Sequence, residues 1–177
     1  MFAEAKPDSP PDVLAAENYW ESLEETEPQI VSRLARVAAE RRWEIIFLTA
    51  RPASAGAPVQ LQSQRWLEAR GFVLPSVYVA QQSRGAIAAA LGIDLVVGSR
   101  PDQCLEVVTD SKARAMLIWR DDEAALPDGV RARGIEIVGS VNECLDTLAT
   151  IERPAHRERG LLARLRRFLD VKSATGF

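Results

Sequence analysis

The run Trp43-Glu-Ile-Ile-Phe-Leu-Thr49 is β-rich and continuously apolar from Ile45 to Leu48, the pattern of a strand buried on both faces of a parallel sheet. Upstream of it, Ile30, Val31, Leu34, Val37 and Ala38 recur at helical spacing, which predicts an amphipathic helix, and Arg41 and Arg42 suit the negative end of its dipole. Further back, Val13 to Leu23 has helical composition with Tyr19 and Trp20 as its large anchors. Downstream, Pro58 opens a helix with Trp66 and Leu67 on its inner face, and Gly71 closes it.

The alternation then repeats. A strand from Val77 to Ala80 precedes a helix capped by Ser83 that runs through Ile87 and Leu91 to Gly92. A strand over Leu95 to Val97 leads to a helix opened by Pro101, with Cys104, Leu105 and Val108 facing inward. Ala115 to Trp119 reads as a fourth strand, Asp121 to Leu126 as a short helical piece, and Ile135 to Val138 as a fifth strand. Ser140 and Glu143 form a capping box for a last helix carrying Val141, Leu145 and Leu148. Strands separated by helices imply crossover units, so the expected fold class is α/β, a doubly wound, mostly parallel sheet with helices on both faces. In such sheets ligands bind at the carboxyl ends of strands. The segments to inspect are therefore Thr49 to Gly56, Ala80 to Arg84, Gly98 to Asp102 and Arg120 to Glu123.

A chain of 177 residues, 47% hydrophobic and 27% charged, is long enough to bury a core and has an ordinary globular composition. No apolar run approaches the ~20 residues of a membrane span, and the acidic, proline-rich start does not read as a secretory leader. A cytoplasmic protein is the expectation. Cys104 and Cys144, 40 residues apart at apolar helical positions, suit buried free thiols rather than a disulfide frame or zinc site. The net charge of −3 conceals an asymmetry: residues 1–28 sum to −7, residues 153–172 to +5, and everything before residue 153 to −8. Three segments follow: an acidic, partly helical segment over 1–28, an α/β domain over 29–152, and a basic amphipathic tail over 153–177.

At the first strand end, the Thr49 hydroxyl and the free amides beyond it form a candidate phosphate ligand, and Arg51 could grip a phosphate bidentately. The bland alternatives are a turn-forming threonine and a solvated charge. Asp121 and Asp122 are paired carboxylates at a strand end, able to hold Mg²⁺ through oxygen or simply to start a helix. No glycine-rich phosphate loop is present. His156 is the only histidine and lies in the basic tail, which excludes a histidine metal site and disfavours a Ser-His-Asp triad.

Taken in order, Ile45-Ile-Phe-Leu-Thr-Ala-Arg-Pro52, Ser83-Arg-Gly-Ala-Ile-Ala-Ala-Ala-Leu91 and Asp94-Leu-Val-Val-Gly-Ser-Arg-Pro-Asp-Gln-Cys-Leu105 resemble the haloacid dehalogenase (HAD) superfamily over roughly Ile30 to Leu148. The resemblance implies a Rossmann-like fold in which Thr49 matches the second motif and would bond a transferring phosphoryl group. It also implies three departures. No strand ending in Asp-x-Asp precedes Ile30, so no residue takes the nucleophile's role. The family's lysine falls on Ala86, with Arg84 the nearest cation. The acidic pair that holds Mg²⁺ falls on Gly98 and Ser99, while Arg100, Pro101, Cys104 and Leu105 still fit around it. In the family the missing first strand lies at the sheet's centre, between the strands represented here by Ile45 to Thr49 and Leu95 to Val97. Without it the sheet must rearrange, borrow a strand or lose stability. The expectation is a HAD-like domain that has lost phosphatase chemistry and needs no cofactor, acting as a binding or regulatory module. The alternative is an active, nucleotidase-like Mg²⁺-dependent phosphatase whose nucleophile segment is missing, with Thr49, Arg51 and Arg84 on the phosphate and Asp121 or Asp122 replacing the metal ligands.

In the tail, Leu161, Leu162, Leu165, Phe168 and Leu169 fall on one helical stripe among arginines. Such a segment packs on its own acidic domain, or serves a protein partner or self-association. A membrane surface is a weaker reading, and nucleic acid is disfavoured by the acidic head and the lack of an aromatic platform.

Overall fold

The computed structural model describes residues 11–150, so the basic tail lies outside the described residues. The chain forms α1 (Pro11–Leu14), α2 (Ile30–Arg41), β1 (Ile46–Thr49), α3 (Val59–Glu68), β2 (Ser76–Val79), α4 (Arg84–Leu91), β3 (Leu95–Gly98), α5 (Pro101–Asp110), β4 (Arg114–Ile118), β5 (Glu136–Val138) and α6 (Val141–Thr150), with short 3₁₀ turns at Tyr19–Glu21, Glu123–Ala125 and Arg131–Arg133. This is the expected α/β alternation, and every strand pair is parallel. No helix among the described residues is long and apolar enough to cross a membrane.

The strands do not form one sheet. β1 pairs with β2, Ile46 opposite Ser76, while β3, β4 and β5 form a separate three-stranded sheet with Leu95 opposite Arg114 and Met116 opposite Glu136. α3 packs on β2 and α2 on α6. The two parts are joined by side chains: Ile30, Val31 and Leu34 of α2 share a core with Trp66 of α3, Val77 of β2, Met116 and Ile118 of β4 and Leu145 of α6. Successive side chains of a strand point to opposite faces, and the alternate residues Ala115 and Leu117 enter a second core with Ala88 of α4 and Cys104 and Val107 of α5.

The strand buried on both faces is therefore β4, not β1. Ile46 is 38% exposed, and Phe47, Leu48 and Thr49 are only half-buried; Tyr78, on the same face of the pair as Ile46, is exposed as well. The expected helix over Val13 to Leu23 is also corrected. It breaks after Leu14, and Asn18 turns left-handed at φ 50°. The break lets the Asn18 side chain accept from the Ala57 amide (3.1 Å) and its own amide reach the Ala55 carbonyl (3.1 Å), which laces this segment to the loop after β1.

α4 and α5 lie unusually close at Gly85, where a Cβ would come within 2.3 Å of the Glu106 carbonyl oxygen. Backbone cannot yield as a side-chain tip can, so Gly85→Ala is expected to destabilise by about 1–3 kcal/mol, read as a lowered urea midpoint with an unchanged slope.

Candidate functional site

Thr49 stands at the carboxyl end of the β1–β2 pair, and Gly98-Ser99 and Arg120 follow β3 and β4 at the carboxyl end of the larger sheet. Thr49 Oγ1 accepts only a long bond, 3.4 Å, from the Arg51 amide, and the Thr49 carbonyl accepts from Ala80 (2.8 Å). The hydroxyl thus serves as a weak turn former.

Arg51 is half-buried rather than an ordinary solvated charge. Its guanidinium stacks 4.9 Å from the Trp20 ring and donates to Ser63 Oγ (3.3 Å), and burial pulls its pKa below the ordinary value, partly offset by Tyr19. Trp20 is itself fixed, its amide donating to Gln62 Oε1 (3.0 Å) and its indole Nε1 to the Pro52 carbonyl (3.1 Å). Residues 18–23 run on over α3, where Trp66 Nε1 (2.6 Å) and Arg70 (2.7 Å) both donate to the Leu23 carbonyl.

Glu27 closes the far side. Its carboxylate accepts from the amides of Val141 (2.7 Å) and Asn142 (2.9 Å), from the Asn142 side chain (2.8 Å) and from Arg120 (2.8 Å). Burial alone would raise its pKa, but the two amides and the Arg120 charge outweigh that and hold it below the ordinary value. The capping box at α6 is half as expected: Ser140 Oγ accepts from the Glu143 amide (3.0 Å), but the Glu143 carboxylate accepts from Gly139 (2.7 Å). Glu27 satisfies the next two amides. Its position before α2 carries no local signal of a partner 114 residues away. Trp20 was visible as an anchor, but not what it would hold.

Arg84 opens α4 beneath the Ser83 cap and is 8% exposed. Its amide donates to Glu106 Oε2 (3.1 Å), but its Nη1 has no hydrogen-bond partner among the described residues. Burial lowers its pKa, and Glu106 works in the opposite direction. At the end of β3, a Cβ on Gly98 would lie 3.3 Å from Cys104 Sγ, so any side chain there presses on a buried sulfur. Arg100 turns to Asp102 (2.6 Å) and holds that carboxyl low.

Asp121 and Asp122 are exposed; Asp122 Oδ1 accepts from the Ala124 amide (3.0 Å), which starts the turn Glu123–Ala125. Among the described residues no three His, Cys, Asp or Glu side chains converge as a metal site. The structure therefore sets Thr49 and Arg51 in one loop and Arg84 and the aspartates on separate elements.

No family model, characterised protein or solved structure matches the chain.

Because the Glu27 pKa is depressed in the folded state, its contribution is fully present above the ordinary value of 4.5 and is lost as pH falls through the lower folded value. Glu27→Gln is expected to cost about 1–3 kcal/mol at pH 7, and the gap to wild type in urea unfolding should close below that range. Arg84→Met removes a buried donor whose desolvation costs about 1–3 kcal/mol and is expected to leave the urea midpoint unchanged or raised.

Proposed function

We propose that the chain is a HAD-like domain without phosphatase chemistry that acts as a binding or regulatory module. The observation that carries this reading is the stack of Arg51 on Trp20: the cation best placed to receive a phosphate at the end of β1 is engaged by the chain's own acidic segment. Two further features support it. The sheet divides between β1 and β3, where the resemblance sets the absent first strand. The end of β3 does not fit a divalent cation, since Gly98 brings no ligand and has a buried sulfur where a side chain would go, while the metal in phosphoryl transfer must be held by oxygen ligands that let it neutralise the phosphate.

The second reading, a Mg²⁺-dependent phosphatase completed by a nucleophile segment, is favoured by one observation, the unpartnered Nη1 of Arg84. Phosphate would satisfy it, and Thr49→Ala would then slow turnover. The test is calorimetric titration of the full chain with Mg²⁺ and orthovanadate, together with turnover of 4-nitrophenyl phosphate. The expected result is folded protein with no saturable heat and no turnover above the blank. Saturable Mg²⁺ binding with turnover overturns the binding-module reading.

A further inference from the structure

Six of the seven large apolar side chains exposed among the described residues, Ile46, Leu61, Val73, Leu74, Tyr78 and Leu91, belong to β1, α3, β2, α4 or the turn before β2; the seventh is Val13. Three of them, Ile46, Tyr78 and Leu91, line a cleft of about 570 Å³ at the amino ends of β1 and β2, together with Ile87 and with Gln60 and Gln64 of α3. An exposed apolar patch with a polar rim marks an interaction site. This one lies at the end of the strands opposite Thr49 and is independent of whether the chain turns over phosphate.

The occupant follows from where the described chain ends. Arg41 Nη2 donates to the Ala149 carbonyl, so the last turn of α6 meets the last turn of α2. Ile46 in the cleft follows Arg41 by five residues, a span of at most about 17 Å. Residues 151–160 reach up to about 33 Å when extended, enough to pass from Thr150 to the cleft. Beyond them stand Leu161, Leu162, Leu165, Phe168 and Leu169 at helical spacing, and the residues that line the cleft carry no charge to oppose the basic segment. We propose that residues 161–169 dock as an amphipathic helix in this cleft of their own chain, with the leucine and phenylalanine face against Ile46, Tyr78 and Leu91. Apolar burial supplies the contact.

The test uses the full chain carrying Leu91→Cys with Leu165→Cys, treated with a short bismaleimide at pH 7, and a control pairing Ala124→Cys, at the carboxyl end of the sheet, with Leu165→Cys. Burial pushes the thiols of Cys104 to about 11 and Cys144 to about 12, so both stay protonated and only the introduced cysteines react. Docking raises the effective concentration of one thiol at the other, and the cleft pair is expected to cross-link at least about tenfold faster than the control, with the mass of a monomer. Adding Phe168→Asp should abolish that advantage, as should a Leu165→Asp/Phe168→Asp chain speed amide exchange over residues 46–49. Equal rates for the two pairs overturn the proposal. So does a product of dimer mass only, which assigns the cleft to a second copy.

Discussion

Helix α2 inserts Ile30, Val31 and Leu34 between the β1–β2 pair and the β3–β4–β5 sheet, and no backbone ladder joins those two parts among the described residues. Each such side chain contributes about 1.5–3 kcal/mol when fully buried, and together they hold what hydrogen bonds hold in an undivided sheet. The helix is pinned at both ends, by Arg33 to Asn142 and Asp146 and by Arg41 to the Ala149 carbonyl. Ahead of it, Glu27 ties the incoming chain to α6 and to Arg120. The position of residues 18–27 over the strand ends follows from these attachments.

That placement decides the chemistry at this end of the molecule. A guanidinium free in a strand-end loop is ready for an anion. Arg51 instead lies on an indole whose amide and Nε1 are both committed to the neighbouring loop and helix. Arg120 likewise is neutralised by Glu27. Two of the cations at the strand ends thus find their partners in the acidic segment.

Local signals in the sequence were enough wherever the physics is local. Ser83 caps α4 by accepting from Gly85 (3.2 Å) and Ala86 (3.5 Å), Pro101 opens α5, and all five strands stand where apolar runs mark them. Burial was less legible, because Ile46 to Leu48 and Met116 to Ile118 are equally apolar, while the first run is partly exposed and the second is buried in two cores, one on each face. The helix expected through Tyr19 and Trp20 failed for a related reason. Gln62 and Pro52 lie more than thirty residues away, and hydrogen bonding to them outweighs helical propensity. At the candidate site, the residue types at Thr49, Arg51 and Gly98 could be read, but the long-range partners that occupy them could not.

The division of the sheet also shapes how the molecule comes apart. The segment from Ile46 to Val79 is a strand-helix-strand unit that closes its own parallel pair, and Leu95 to Ile118 is another. Neither draws ladder bonds from the other, so the first can open while the second keeps its full complement of backbone hydrogen bonds. Among the described residues the two are coupled through side chains, Trp66 and Val77 meeting Met116 and Ile118 in the core that α2 shares, and the half-exposed strands of the β1–β2 unit favour its opening at lower free energy.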